Sequence, residues 1–166
     1  RLCAASMEEQ RGRLLELTPQ PVRRRPFGSV ADSIREASCC CAVELEGLEE
    51  PALLVLDRAF VFSLLEEFFG AGGFERPGRR PLTALETMLA RKFADRFLAA
   101  FDLASKPSSW HPRCGHSSSL PRLAVLTPDE QPVWHLAFRS LLGGRAGALC
   151  LCLPEDFSTH LAVRSA

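Results

Sequence analysis

Hydrophobic and polar positions along the chain fall into short blocks with two periods. Residues 39–45 (CCCAVEL) and 52–56 (ALLVL) are near-continuous apolar runs, and 132–138 (PVWHLAF) and 148–153 (ALCLCL) repeat the arrangement. Runs of this length bounded by turn-forming residues predict strands buried in a sheet. The links at 46–51 and 139–145 are of hairpin length, so both strand pairs are predicted antiparallel. Each second run continues through a breaker into helical spacing, ALLVLDRAFVFSLL at 52–65 and ALCLCLPEDFSTHL at 148–161. Asp57 is placed to cap a helix reaching Phe69, with Val61, Leu64, Leu65, Phe68 and Phe69 on its apolar side.

A helix also precedes each strand pair. Residues 2–17 form a candidate ended by Thr18-Pro19. Residues 82–103 form a stronger one, opened by the capping box Thr83-x-x-Glu86 and carrying Leu85, Leu89, Phe93, Phe97 and Phe101 as a core-facing stripe. The order helix, strand, strand, helix thus occurs twice. Two such units can share one mostly antiparallel sheet covered by helices, a pseudo-twofold α+β domain with α/β/α layers. Residues 1–25 are read as an amino-terminal helix and linker, joined to a domain over 26–166 as one globular unit.

Composition narrows the function classes. The 166 residues are 46% hydrophobic and 24% charged, a globular profile. Lys+Arg and Asp+Glu number 20 each, so no global field draws nucleic acid or anionic lipid. The basic stretches Arg23-Arg24-Arg25 and 76–80 are read as solvated loops. No apolar run approaches the roughly 18 residues that span a bilayer. The start lacks an initiator Met and a signal-peptide pattern, so the chain is expected to be a piece of a longer protein. Seven cysteines without framework spacing fit reduced thiols of a cytosolic protein. Cys39, Cys40 and Cys41 are consecutive and should alternate between sheet faces.

Candidate chemistry is sparse. The stretch FFGAGGF at 68–74 lacks the Lys-Ser or Lys-Thr of a P-loop and follows a helix, so Gly70 is read as a left-handed helix terminator. WHPRCGH brings His111, Cys114 and His116 close in sequence, but zinc needs a fourth ligand and usually a second pair at a distance. Cys150 and Cys152 have strand spacing and should share a face, and His135 and His160 are read as structural. Ser117-Ser118-Ser119 lacks a nucleophile elbow. No catalytic residues, cofactor or metal are expected.

Residues 48–101 nevertheless carry an ordered set of motifs: PALLVLD, then FFGAGG, then GRRPLTALE. Together with LTPDEQPVWHLAFRSLLGGRAGALCLCLPEDF downstream and FGSVADSI (27–34) upstream, they resemble the middle domain of the flagellar motor switch FliM family over about residues 26–163. The resemblance implies the pseudo-twofold fold that this family shares with the chemotaxis phosphatase CheC. It also implies a non-enzymatic module of the cytoplasmic rotor ring at the flagellar basal body, serving torque transmission, chemotaxis and motility. A FliG-like rotor protein and neighbouring copies of the same chain would be its partners, and FliN-like and CheY-like proteins would bind through regions outside this sequence.

Mapped by this resemblance, Gly70, Ala71, Gly72 and Gly73 occupy the FliG-binding loop, and the residues beside it add Phe74 as an apolar contact and Arg76, Arg79 and Arg80 as rim contacts. Phe74 either anchors the partner or folds back on the helix ending at Phe69. Two departures stand out: Ala71 replaces a family glycine, and Ser117-Ser118-Ser119-Leu120 replaces the motif E-x-N-P. Alternative readings are a type III secretion sorting-platform protein and a CheC-like phosphatase acting on a phosphorylated response regulator. The phosphatase would need a Glu and an Asn one turn apart. Here Glu86 is followed by Leu89, Glu8 and Glu9 have no such partner, and the chain contains no Asn.

Overall fold

The computed structural model describes residues 15–34, 38–70, 80–104 and 110–157. In chain order they form β1 (Leu15–Pro19), β2 (Arg23–Pro26), α1 (Phe27–Ser33), β3 (Cys39–Glu44), β4 (Ala52–Leu56) and α2 (Arg58–Phe69). There follow α3 (Ala84–Ala104), β5 (Arg113–Ser118), α4 (Pro121–Ala124), β6 (Pro132–Leu142) and β7 (Arg145–Pro154). The strands make one seven-stranded sheet in the order β1-β6-β7-β4-β3-β5, with β2 beside β1 on the same flank of β6, and every pairing is antiparallel.

The two hairpins meet at the central β4–β7 pair, and each outer strand crosses to the other unit's hairpin: β1 and β2 pair β6, while β5 pairs β3. The registers obey a pseudo-twofold axis through the sheet centre. Pro19↔Phe138 corresponds to Cys114↔Val43, and Arg23↔His135 to Ser118↔Cys40, a constant step of 95 residues (114 − 19, 118 − 23). Even the irregularity repeats, because β3 slips register between Cys41 and Val43 where residues 20–22 interrupt the partner strand of β6.

For β4 and β7 the step is 97 (151 − 54, 153 − 56), since Leu54 and Leu56 share one core with Leu151 and Leu153. The sequence match of 52–65 to 148–161 is therefore one residue out of step. In a strand, one residue exchanges the buried face for the opposite one.

Side chains alternate between two cores. Cys39, Cys41, Val43, Leu54, Leu56, Leu149, Leu151 and Leu153 pack under α2 and α3. Cys40, Ala42, Leu53, Val55, Val133 and Cys152 pack under α1 and α4, capped by Phe27, Val30 and Val125. The three consecutive cysteines alternate as expected, and the described cysteines are free thiols. Burial pushes the Cys40 thiol up to about 12.

Four expectations are corrected. Residues 15–17, read as the end of the helix over 2–17, belong to β1; the rest of that helix lies outside the described residues. Leu15 and Leu17 pack on the core while Glu16 and Thr18 face solvent, a two-residue period that a helix would have scrambled. Arg23-Arg24-Arg25 is edge strand β2 rather than loop, with Arg24 paired to Glu155 and Arg25 bonded to Ser29 Oγ at 2.7 Å.

Phe68 and Phe69 are about half exposed, at 50% and 53%. One turn earlier, Glu66 pairs with Arg145, the first residue of β7, at 2.7 Å. The α3 stripe begins at Leu89, because Leu85 is also exposed.

Candidate docking site

Helix α2 is fixed on the sheet before it delivers the glycine loop. The Phe60 N–H donates to Asp57 Oδ1 at 2.7 Å, so the predicted N-cap is formed. Beneath the same turn, Gly147 of β7 lies so close that a Cβ there would stand 2.8 Å from the Phe60 nitrogen. At the other end Gly70 adopts φ 65° and ψ 14°, and its N–H donates to the Glu66 carbonyl at 2.9 Å. This is the left-handed terminator expected from the sequence, a conformation that a Cβ disfavours.

The chain re-enters the described structure at Arg80, and three contacts hold it. Its carbonyl accepts from Arg58 Nη1 at 2.5 Å, while the Arg58 guanidinium lies 5.1 Å from the Phe62 ring centre. Its own guanidinium makes a two-pronged contact with Glu86, at 2.6 and 2.8 Å. Glu86 also completes the predicted capping box: the Thr83 N–H donates to Glu86 Oε2 at 2.6 Å, and the Glu86 N–H donates to Thr83 Oγ1 at 3.3 Å. The Arg80 bond, with the Thr83 bonds adding to it, holds the Glu86 carboxyl down at about 2.

Of the residues assigned to docking by resemblance, Gly70 and Arg80 therefore stand at the two bases of the loop. Ala71, Gly72, Gly73, Phe74, Arg76 and Arg79 lie outside the described residues. Sequence reasoning placed Phe68 and Phe69 in the core; they instead present exposed aromatic surface beside the first base. On the α3 side, Leu85 and Met88 are exposed at helical spacing.

The remaining candidates separate clearly. His111, Cys114 and His116 do not converge: His111 Nδ1 lies 2.8 Å from Glu46 Oε2, and Cys114 and His116 belong to β5. His160 is outside the described residues. One group that sequence spacing did not reveal does converge. His135, Cys150 and Cys152 bring their ligand atoms within 4.8 Å of one another.

His135 stands opposite Cys152 in the β6–β7 register, and Cys150 is two residues along the same strand. Hydrogen bonding with Cys152, helped by His135, draws the Cys150 thiol below its ordinary range, and the same bond drives Cys152 upward. The readable signal was a Cys-x-Cys strand facing a histidine across a hairpin, which needs the register to be known.

A family model, that of the flagellar motor switch protein FliM, matches residues 1–161. The flagellar motor switch protein FliM of Treponema pallidum (strain Nichols) is 23% identical over 160 residues, covering 93% of this chain and 45% of that protein. The chain thus spans about half the length of that relative. The FliM middle domain from Vibrio alginolyticus superposes with a TM-score of 0.79 at 18% identity, covering 92% of this chain and 89% of that one. A chain of the FliG-FliM complex from H. pylori superposes with a TM-score of 0.80 at 12% identity, covering 92% and 82%. At these identities the structural likenesses establish the fold.

Proposed function

From the premise that this chain belongs to the flagellar motor switch protein FliM family, we propose that it is a non-enzymatic interaction module of a rotor switch ring. It docks a FliG-like protein through Gly70, Ala71, Gly72, Gly73 and Phe74, with Arg76, Arg79 and Arg80 as rim contacts. The observation that carries the docking role is the clamping of both loop bases, Gly70 by the α2 terminus and Arg80 by Arg58 and Glu86. A loop held at both bases loses less conformational freedom on binding, so more of the contact energy appears as affinity. The half-exposed Phe68 and Phe69 extend the apolar surface beside it.

Self-association in a ring, torque transmission and service to chemotaxis and motility follow from the same reading. So does a place on the cytoplasmic side of the flagellar basal body, with FliN-like and CheY-like proteins engaged by other regions. No helix among the described residues is long and apolar enough to cross a membrane. The phosphatase alternative lacks support in the chemistry. Glu86 is engaged in the helix cap and by Arg80, and Leu89, one turn on, is buried rather than a water-positioning amide.

The test is a binding titration with a FliG-like protein, comparing wild type with Gly73→Asp and Phe74→Ala. Binding is expected to weaken in both. Unchanged affinity in both would remove the loop from the interface. Robust dephosphorylation of a phosphorylated response regulator by the wild-type chain would overturn the non-enzymatic reading.

A further inference from the structure

We propose that His135, Cys150 and Cys152 form a binding site for a thiophilic closed-shell cation, Zn2+, on the sheet face turned away from α2 and α3. Their donor atoms already lie within 4.8 Å of one another. Two ligands of a tetrahedral zinc stand about 3.5–3.8 Å apart, given bonds of about 2.0–2.3 Å to nitrogen and sulfur. The three donors thus lie within about 1 Å of the spacing that a tetrahedral site needs.

The scaffold is a continuous antiparallel hairpin. The β6–β7 ladder runs without interruption from Val133↔Pro154 to Leu142↔Arg145 and sets His135 directly across from Cys152. Cys150 projects from the same face two residues away, so three ligands come from adjacent positions on one rigid hairpin. The donor set of one imidazole and two thiols suits Zn2+ rather than the hard cations, which take oxygen.

The internal symmetry of the fold gives an independent argument. Under the pseudo-twofold, His135, Cys150 and Cys152 correspond to Cys40, Leu53 and Val55 in the first unit. Those three pack fully in the core under α1 and α4. Packing at these positions therefore requires no imidazole and no pair of thiols. The second unit departs from the apolar set at all three positions together, and the departures converge on one point.

The surroundings tolerate the ion. His135 and Cys150 are half-buried, while buried Cys152 closes the base of the site. Two arginines of β2 flank the site. Arg23, the register partner of His135, is exposed, and Arg25 is turned onto Ser29. Two thiolates around Zn2+ make a neutral centre that Arg23 does not oppose. Binding releases the thiol protons to solvent.

The experiment is titration of the reduced, metal-free chain with Co2+ as a spectroscopic probe, followed by Zn2+ competition against a chromophoric chelator. One equivalent of Co2+ is expected to give thiolate-to-metal charge transfer in the near ultraviolet and the intense visible bands of a tetrahedral site, displaced by Zn2+. The double variant Cys150→Leu/Cys152→Val, which copies the residues of the first unit, is expected to keep the fold by circular dichroism and lose the bands. His135→Gln is expected to shift them, and Cys114→Ser to leave them unchanged. Failure of wild type to show the bands, or their survival in the double variant, overturns the proposal.

Discussion

Arg80 and Glu86 form a two-pronged ion pair, at 2.6 and 2.8 Å, across the first turn of α3. The pair joins the returning end of the candidate docking loop to a helix cap. Loop position and helix stability are consequently coupled through one carboxylate.

Replacing Glu86 should therefore affect both. Glu86→Ala is expected to cost on the order of 1 kcal/mol, because it removes a capping-box partner on a partly solvated surface. The pH dependence has a definite sign. The folded-state carboxyl is held at about 2, below its ordinary value of 4.5. Its stabilisation is present above about 4.5 and is lost as pH falls toward 2. Urea unfolding at pH 7 should separate wild type from Glu86→Ala, and the charge-dependent part of that gap should shrink near pH 2.5.

Gly70→Ala should destabilise the chain by about 1–2 kcal/mol through backbone conformation alone. The position has φ 65°, and among the described residues beyond its chain neighbours no atom lies within 4 Å of where a Cβ would stand. Gly70→Asn should recover part of the loss, because Asn enters the left-handed region more readily. Thermal unfolding of the two variants checks the order; a more stable alanine variant would contradict it.

Gly147→Ala should be costlier for the opposite reason. Its φ is unremarkable for any residue, but the added Cβ would meet the Phe60 backbone nitrogen and Cα at 2.8 and 2.9 Å. Backbone cannot step aside, so α2 must lift from β7, at about 1–3 kcal/mol. Chemical denaturation measures this. A lifted α2 also moves Gly70, so affinity for the proposed FliG-like partner should fall with stability.

Phe68→Ala separates binding from folding. The side chain is half exposed, so stability should change by less than about 0.5 kcal/mol. If Phe68 contributes to the docking surface, affinity for the FliG-like protein should fall by about 1 kcal/mol or more. Calorimetric titration beside thermal unfolding gives both numbers, and an unchanged affinity would restrict the surface to the loop itself.

Local chemistry determined much of this protein from sequence alone. Asp57, Gly70 and the Thr83–Glu86 box act on backbone groups within a few residues of themselves, so spacing sufficed to read the ends of α2 and the start of α3. β3 and β4 were legible because both of their faces are buried, which makes them continuously apolar, and β6 and β7 because each carries an apolar run, 132–138 and 148–153. β1, β2 and β5 were not. They are polar edge segments held by hydrogen bonds to β6 and β3, and only the partner strand makes LELTP or RCGHSS extended.

The same limit governs the sites. The glycine loop was found by its own residues, whereas the grip of Arg58 and Glu86 on Arg80 required helices separated by the loop itself. His135, Cys150 and Cys152 have no motif spacing. The register of one hairpin places them together, and register is set by pairing between strands, which a linear pattern does not encode.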